Sequence, residues 1–455
     1  MRILVQSHPA LRRLFGAGLS AAFAVMYLAG TASAASVTFG AGSGASKFGT
    51  SMTFTQAYTG SITSASLLVR LPYDSAGPQV IPVKTPGSGT LTATVDTSGG
   101  SPFPFAPVVA NFEVVKSDGT TQVGPDITLT YADDRFTWKT ITGNVVRVHY
   151  LDASASFAQS LVTLADSGAT KASAMFGVTE TKPIDYYVYP SQSVFQQGLG
   201  QPDTVGGVAE TQYRICFSVV ANGDNAYAAQ VMPHEVTHVV FWDAVNNPYH
   251  GTPRWLDEGF AQYISQGYDS SSRQQVTAAV KSGTLSSLLA LTDFFPMDSS
   301  RIYLAYAEAV SAVDFMVRKY GQPAILKLVQ AYAGGVSDDE AFTAALGVDV
   351  KGFNTAWETD LGVTPTKYGP QPAPTGPVPP GWSSGGAGST IGPDATEGPS
   401  ASTSSAPSQS SGSRPGNTGV MVLAGLLAAI GAVMVVVAVF LIISERSNPD
   451  ANRQL

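Results

Sequence analysis

The residues with the clearest capacity for chemistry are His234, Glu235 and His238, in the segment His-Glu-Val-Thr-His, together with Glu258, which follows twenty positions after His238. On a helix, positions i and i+4 lie on the same face, so both histidines can turn a ring nitrogen toward one metal ion. Glu258 can supply a third ligand and leave the fourth position open. Three protein ligands and an open position are typical of catalytic zinc, with Glu235 beside the activated water.

Short motifs recur by chance, so the pattern has a competing interpretation. In that interpretation the two histidines are core residues and the glutamate lies at the surface. The chain has only five histidines, and Glu258 lies within a second distinctive segment, Trp-Leu-Asp-Glu-Gly at 255–259. That combination favours the zinc site. Pro233 is typical of a first helical turn, so we expect the helix that carries the motif to begin near it. Val236, Val239 and Val240 would give that helix an apolar face.

Beyond the motif, the chain resembles gluzincin metallopeptidases of the thermolysin-like clan, and most closely the bacterial peptidase MA-like domains. The resemblance covers about residues 137–362. It includes the segment Val-Gly-Gly-Val-Ala at 205–209 ahead of a strand, Tyr306 at the start of a helix that ends at Tyr320-Gly321, and a last helix with Phe353 and Trp357. It implies a sheet lobe followed by a helical lobe, with Zn²⁺ between them.

The zinc chemistry and the resemblance together define expected roles. Glu235 is placed to take a proton from a metal-activated water and to pass it to the leaving amine of a peptide. Tyr306 matches a tyrosine of the family's downstream helix, which makes it the candidate donor to the anionic transition state, although it could equally pack beside Val310 and Val313. Zinc-bound histidines usually donate their second N–H to another group.

The candidates for that second-nitrogen contact are Asp257 and Gln262, on or near the turn that carries Glu258. His250 is expected to be a surface histidine. Gly206 and Gly207 would let a substrate backbone approach an edge strand, or would simply form a turn.

The composition of the chain limits the kinds of partner that it is expected to bind. Charged residues make up 13% of the chain and the net charge is −8, so no basic face is expected for nucleic acid. Cys216 is the only cysteine, which excludes an intramolecular disulfide and a cysteine zinc site; we expect an inert core thiol. The expected partners are a peptide or protein substrate and a membrane, and the sequence does not define an oligomeric state.

The two ends of the chain predict export and anchoring. Residues 1–34 have the charged start, apolar run and small-residue cleavage site of a signal peptide, for ordinary secretion or, from Arg12-Arg13, the twin-arginine route. Residues 420–443 carry no charge and would span about 36 Å as a helix, enough to cross a bilayer. Residues 363–419 are rich in Pro, Ser and Gly and are expected to form a disordered stalk, and 444–455 a cytoplasmic tail.

The remaining chain predicts a multidomain α+β protein with two folded parts. Residues 35–136 have short alternating runs between turn signals, which indicate a β-sandwich of immunoglobulin-like type. Residues 137–362 would form the metallopeptidase domain, with strands at 144–150, 184–189 and 214–220, and helices at 154–176, 301–320, 323–332, 338–346 and 350–361.

The preferred functional interpretation is a zinc peptidase anchored to the cell membrane, with its folded domains outside. Two alternatives remain open: a surface binding or adhesion protein with an inactive peptidase-like scaffold, and a zinc hydrolase with a non-peptide substrate. The intact set of His234, Glu235, His238 and Glu258 argues against the first alternative.

Overall fold

A computed structural model describes residues 36–73, 77–83, 89–201, 206–247, 249–296 and 299–364. The predicted signal peptide, transmembrane segment and tail lie outside these residues, as does the predicted stalk beyond residue 364. Among the helices that the structure describes, none combines the length and apolar character needed to cross a membrane.

The first folded part consists of two antiparallel sheets around one core. One sheet has the order β1 (Thr38–Lys47), β2 (Ser51–Thr59), β5 (Thr90–Asp96). The other has the order β4 (Gln79–Pro82), β3 (Ile62–Arg70), β6 (Pro107–Lys116), β7 (Thr121–Val123), with β8 (Ile127–Thr130) also paired to β6. Alternate side chains of both sheets meet in the core, among them Phe54, Leu67, Leu91 and Phe112. The two-sheet arrangement agrees with a sandwich, and its immunoglobulin-like type stays a prediction.

The second folded part begins with a five-stranded mixed sheet. Its order is β12 (Gly207–Glu210), β13 (Ile215–Val219), β11 (Ile184–Tyr189), β10 (Val146–Tyr150), β9 (Lys139–Thr142). The three central strands are parallel, and the two edge strands run antiparallel to them. One face packs against α1 (Ala155–Phe176) and α3 (Asn225–Val245) through Val146, Val148, Tyr186 and Val188.

The opposite face of the mixed sheet contacts the sandwich through aromatic rings. Phe105 stacks on Tyr187 with ring centroids 3.6 Å apart, and Phe103 lies edge-on to Phe217 at 6.4 Å. The Tyr213 hydroxyl donates a 2.7 Å hydrogen bond to the Pro72 carbonyl. Because these contacts bury large rings, the two parts share a continuous apolar interface.

The helix of the His-Glu-x-x-His motif, α3, begins earlier than expected. The prediction that it starts near Pro233 is wrong: the helix starts at Asn225, and Pro233 lies inside it. The carboxylate of Asp224 caps the first turn by accepting a hydrogen bond from the Tyr227 amide. The turn before Pro233 is buried through Val231 and Met232, and this burial offsets the cost of an interior proline.

A helical region follows α3 and completes the domain. Its elements are α4 (Arg254–Ser265), α5 (Ser270–Ser282), α6 (Ser299–Ala333), α7 (Asp338–Leu346) and α8 (Val350–Asp360), while a short helix, α2 (Gln192–Leu199), lies between β11 and β12. Helix α6 is broken at Gly321, whose φ of 77° interrupts the helix just before Pro323, as the two predicted segments require. The helices α2, α4 and α5 were not predicted.

Glu258 therefore lies on a helix rather than on a turn, and this corrects the sequence interpretation. Helix α4 packs closely on α6 because Gly259 has no side chain: a Cβ there would lie 2.6 Å from the Ala309 carbonyl oxygen. This close approach brings Glu258 of α4 and Tyr306 of α6 to the same point.

Candidate metal centre

The three predicted ligands converge in the structure. The Nε2 atoms of His234 and His238 are 3.2 Å apart. The Glu258 Oε2 atom lies 3.5 Å from His234 Nε2 and 3.7 Å from His238 Nε2. All three side chains are buried, in the space between α3 and α4. One turn of α3 separates the two histidines, so the helix repeat alone sets their alignment.

The donor set fits a zinc ion. Ligand atoms about 2.0–2.1 Å from a tetrahedral zinc are separated by roughly 3.3 Å, close to the three distances in the site. The Glu258 Oε2 atom is buried and has no hydrogen-bond partner among the described residues. A buried carboxylate oxygen without a partner is costly, and a bound cation would remove that cost. Two imidazoles and one carboxylate are ligands that zinc accepts.

Glu235 lies next to this cluster on α3. It is almost fully buried, its Oε2 has no hydrogen-bond partner within the described part of the chain, and burial raises its pKa to about 8. A carboxylate with a pKa near neutrality can both accept and return a proton. Gly207 of the edge strand β12 leaves the space that Glu235 occupies, because a Cβ at that position would lie 2.3 Å from Glu235 Oε1.

Asp257 contacts His238. It is one of the two residues predicted to accept the second N–H of a metal-binding histidine. The Nδ1–H of His238 donates to Asp257 Oδ1 at 2.8 Å, which directs Nε2 toward the cluster. Burial alone would lower the pKa of His238, but the charge and hydrogen bond of Asp257 raise it to about 10. Gln262, the second residue predicted for this role, is buried on α4, and its Oε1 has no hydrogen-bond partner in the described ranges. Of the two predicted partners, Asp257 is therefore the one that contacts His238 Nδ1.

Tyr306 reaches the site from α6. Its hydroxyl donates to Glu258 Oε1 at 3.4 Å, and its ring lies edge-on to Phe295 with centroids 5.0 Å apart. Burial, followed by the nearby Glu258 charge, raises the pKa of Tyr306 well above its ordinary value, so the phenol stays protonated and able to donate. The structure thus brings Tyr306 to the cluster, beside the outer oxygen of Glu258.

Arg254 was missed by the sequence interpretation. It is the first residue of α4, and its Nη2 lies 3.2 Å from Glu258 Oε1. It is also hydrogen-bonded to Tyr306, and its guanidinium lies over the Phe295 ring at 5.1 Å. The signal was available, since an Arg four positions before a Glu predicts an ion pair on a helix.

The remaining histidines of the described structure, and the cysteine, lie outside the cluster. His250 Nε2 pairs with Asp338 Oδ1 at 3.0 Å and is not part of the cluster. His149 bridges Thr140 and Asp185 on the mixed sheet. Cys216 is buried beneath α3, with its thiol donating to the Glu235 carbonyl, which agrees with a core residue.

Comparison with known proteins identifies a family that part of this chain resembles. Residues 164–362 match the family model described as the Peptidase MA superfamily. No curated protein matches the chain. Among solved structures, similarity is found to an aminopeptidase N family protein from Idiomarina loihiensis, with 12% identity, 70% of this chain, 75% of that chain and a TM-score of 0.38.

Two further similarities are weaker. An M1 zinc metallopeptidase from Deinococcus radiodurans gives 14% identity over 70% of this chain and 94% of that chain, with a TM-score of 0.33. A cycloalternan-degrading enzyme from Trueperella pyogenes gives 17% identity over 22% of this chain and 12% of that chain, with a TM-score of 0.16. All these TM-scores are below 0.5, so the assignment depends on the family match and on the site. Residues 164–362 therefore form a gluzincin, peptidase MA-like domain, which matches the Peptidase MA superfamily.

Proposed function

We propose that this domain is a zinc-dependent peptidase. The observation that carries the proposal is the meeting of His234 Nε2, His238 Nε2 and Glu258 Oε2 beside the buried carboxylate of Glu235. Two histidines and one glutamate with an open fourth position are a ligand set of catalytic zinc. A bound zinc ion would activate a water molecule and polarise the carbonyl of the scissile bond.

Glu235 is assigned the proton transfers. Its buried carboxylate accepts a proton from the attacking water and then donates it to the departing amine nitrogen. Burial raises the pKa of Glu235 to about 8, close enough to neutral pH for both forms of the carboxyl group to be populated. Gly207 supports this role by leaving Glu235 its space.

Tyr306 is assigned the stabilisation of the anionic transition state. Its hydroxyl donates to Glu258 Oε1 at 3.4 Å, a long bond that can be exchanged for a shorter one to a developing oxyanion. Phe295 packs edge-on against the tyrosine ring, which is buried. Tyr306 therefore contributes mainly to turnover and less to substrate binding.

The substrate class follows from the strand beside the site. Strand β12 is an edge of the mixed sheet and pairs only with β13 among the described strands. It packs next to α3, with Gly207 against Glu235. An extended peptide can add to such an edge through main-chain hydrogen bonds. This placement favours a peptide over a compact non-peptide substrate.

The proposal includes a location, which the sequence supports. Residues 1–34 have the features of a signal peptide and 420–443 those of a membrane-spanning helix, with the Pro-, Ser- and Gly-rich 363–419 as a stalk. The folded domains would then act outside the cytoplasm, tethered to the membrane. Protease added to intact cells should degrade the folded domains; domains that stay protected until the cells are lysed would contradict this location.

A cleavage assay tests the enzymatic proposal. A mixed peptide library is incubated with the wild-type protein and with Glu235→Gln, with and without a zinc chelator. The expected result is cleavage by the wild type alone, abolished by the chelator. A zinc-containing wild type that cleaves no peptide would favour a non-peptide substrate, and a wild type without zinc or activity would favour the inactive scaffold.

A further inference from the structure

Arg254 contacts Glu258 but takes no part in the proposed proton transfers. Glu258 presents its two carboxylate oxygens to different partners. Oε2 faces the two histidines, whereas Oε1 is 3.2 Å from Arg254 Nη2 and 3.4 Å from the Tyr306 hydroxyl. Arg254 and Tyr306 are also hydrogen-bonded to each other, so the three polar groups form a closed triangle.

The triangle is held in an apolar setting. The side chain of Arg254 is only 10% exposed, and its guanidinium lies over the ring of Phe295, which also packs edge-on to Tyr306. The backbone amide of Arg254 donates to the Thr292 carbonyl at 2.7 Å, which fixes the start of α4. A buried guanidinium held at both its backbone and its side chain has little freedom to leave Glu258.

Charge gives a second reason for an arginine at this position. Three carboxylates, those of Glu235, Asp257 and Glu258, surround the two histidines. Arg254 Nη2 lies 3.2 Å from Glu258 Oε1, so its positive charge offsets negative charge on the ligand itself.

We propose that Arg254 is a positioning residue that holds Glu258 Oε1 so that Glu258 offers the metal one oxygen, Oε2. This inference rests on the proposed zinc-dependent function. Arg254 acts through Glu258 and Tyr306 and does not touch the substrate. It sets zinc affinity by fixing the ligand and by balancing the negative charge around it.

The test is a measurement of zinc affinity by chelator competition on metal-free protein, with Arg254→Met, Arg254→Lys and the control Arg273→Met. Arg273 is an exposed arginine whose guanidinium lies over Tyr268, on the separate helix α5. Loss of a group that orients a metal ligand costs about 10–100-fold in affinity, and we expect this loss in Arg254→Met. Arg254→Lys should recover part of it, since the charge is retained, and Arg273→Met should match the wild type.

Three outcomes separate the possibilities. A wild type that binds no zinc would overturn the proposed function itself. A wild type that binds zinc, with Arg254→Met binding equally well, would overturn only the role of Arg254. Loss of affinity in Arg254→Lys as complete as in Arg254→Met would overturn the charge-balancing part of this role, because the retained charge would then have no effect. If Arg254→Met does not fold, Arg254→Gln replaces it, with the same two outcomes.

Discussion

Gly207 and Glu235 are in close contact across the edge of the mixed sheet, and the contact exists only because residue 207 has no side chain. A Cβ at Gly207 would lie 2.3 Å from Glu235 Oε1 and 2.8 Å from its Cδ. The backbone of β12 therefore forms one wall of the space that holds the proposed proton-transfer group. A strand that can bind a peptide and the residue that would act on it are thus fixed to each other.

Gly207→Ala should displace the Glu235 carboxylate while leaving the fold intact, because the flexible end of a glutamate moves more easily than a strand. Misplacement of a reacting group by about 1 Å costs roughly 100-fold, so we expect kcat/KM to fall by about that factor while zinc content is unchanged. Gly99→Ala is the control, since a Cβ there meets no atom within 4 Å. Wild-type kinetics in Gly207→Ala would show that the contact has no catalytic importance.

Asp257→Ala should weaken zinc binding. The 2.8 Å hydrogen bond from His238 Nδ1 to Asp257 fixes the ring so that Nε2 faces the metal position. Removing such a partner typically costs about 10–100-fold in metal affinity. The measurement is chelator competition, with the exposed Asp152→Ala as the matched control. Equal affinities for Asp257→Ala and the wild type would contradict the assignment.

Tyr306→Phe should lower kcat by about 100-fold with little change in KM, because a donor to the oxyanion acts mainly in the transition state. Zinc content should be retained, since Arg254 still contacts Glu258 Oε1. Tyr303→Phe, on the same helix and partly buried, is the control. If both variants turn over substrate like the wild type, Tyr306 is a packing residue beside Val310 and Val313.

Glu308 should make stability depend on pH. Burial raises its pKa from 4.5 to about 7, so between these values the unfolded chain loses the proton first and stability falls as pH rises. Glu308→Gln removes this term. Its free energy of unfolding relative to the wild type should increase by on the order of 2 kcal/mol between about pH 5 and about pH 8, measured by urea denaturation. Parallel pH profiles for the two proteins would contradict the burial argument.

The sequence predicted those helices and strands whose ends are marked by residues at the ends themselves. Ser154 caps α1 and Gly177, with a φ of 70°, ends it, so the predicted helix at 154–176 is confirmed to within one residue. Gly321 and Pro323 marked the break in α6, and the run from 184 to 189 became β11. These boundaries depend on nearest neighbours in the chain and can therefore be read without the fold.

What the sequence did not predict depends on tertiary contacts. Helix α3 extends upstream through Pro233 because its first turns are buried against the rest of the domain. Helix α5 is mostly polar, so hydrophobic periodicity is weak there, although Asp269 and Gly283 do supply its caps. The alignment of His234 and His238 could be predicted because helix geometry fixes residues four apart, whereas the meeting of Arg254, Glu258 and Tyr306 required the packing of α4 on α6.

The zinc content of the purified protein tests whether His234, His238 and Glu258 together hold one zinc ion. It is measured for the wild type, Glu235→Gln and Glu258→Ala. We expect about one zinc per chain in the wild type and in Glu235→Gln, and a large loss in Glu258→Ala, because two histidines alone bind zinc weakly. A wild type purified without zinc and unable to take it up, or a Glu258→Ala variant with full zinc content, would rule out this three-residue zinc site.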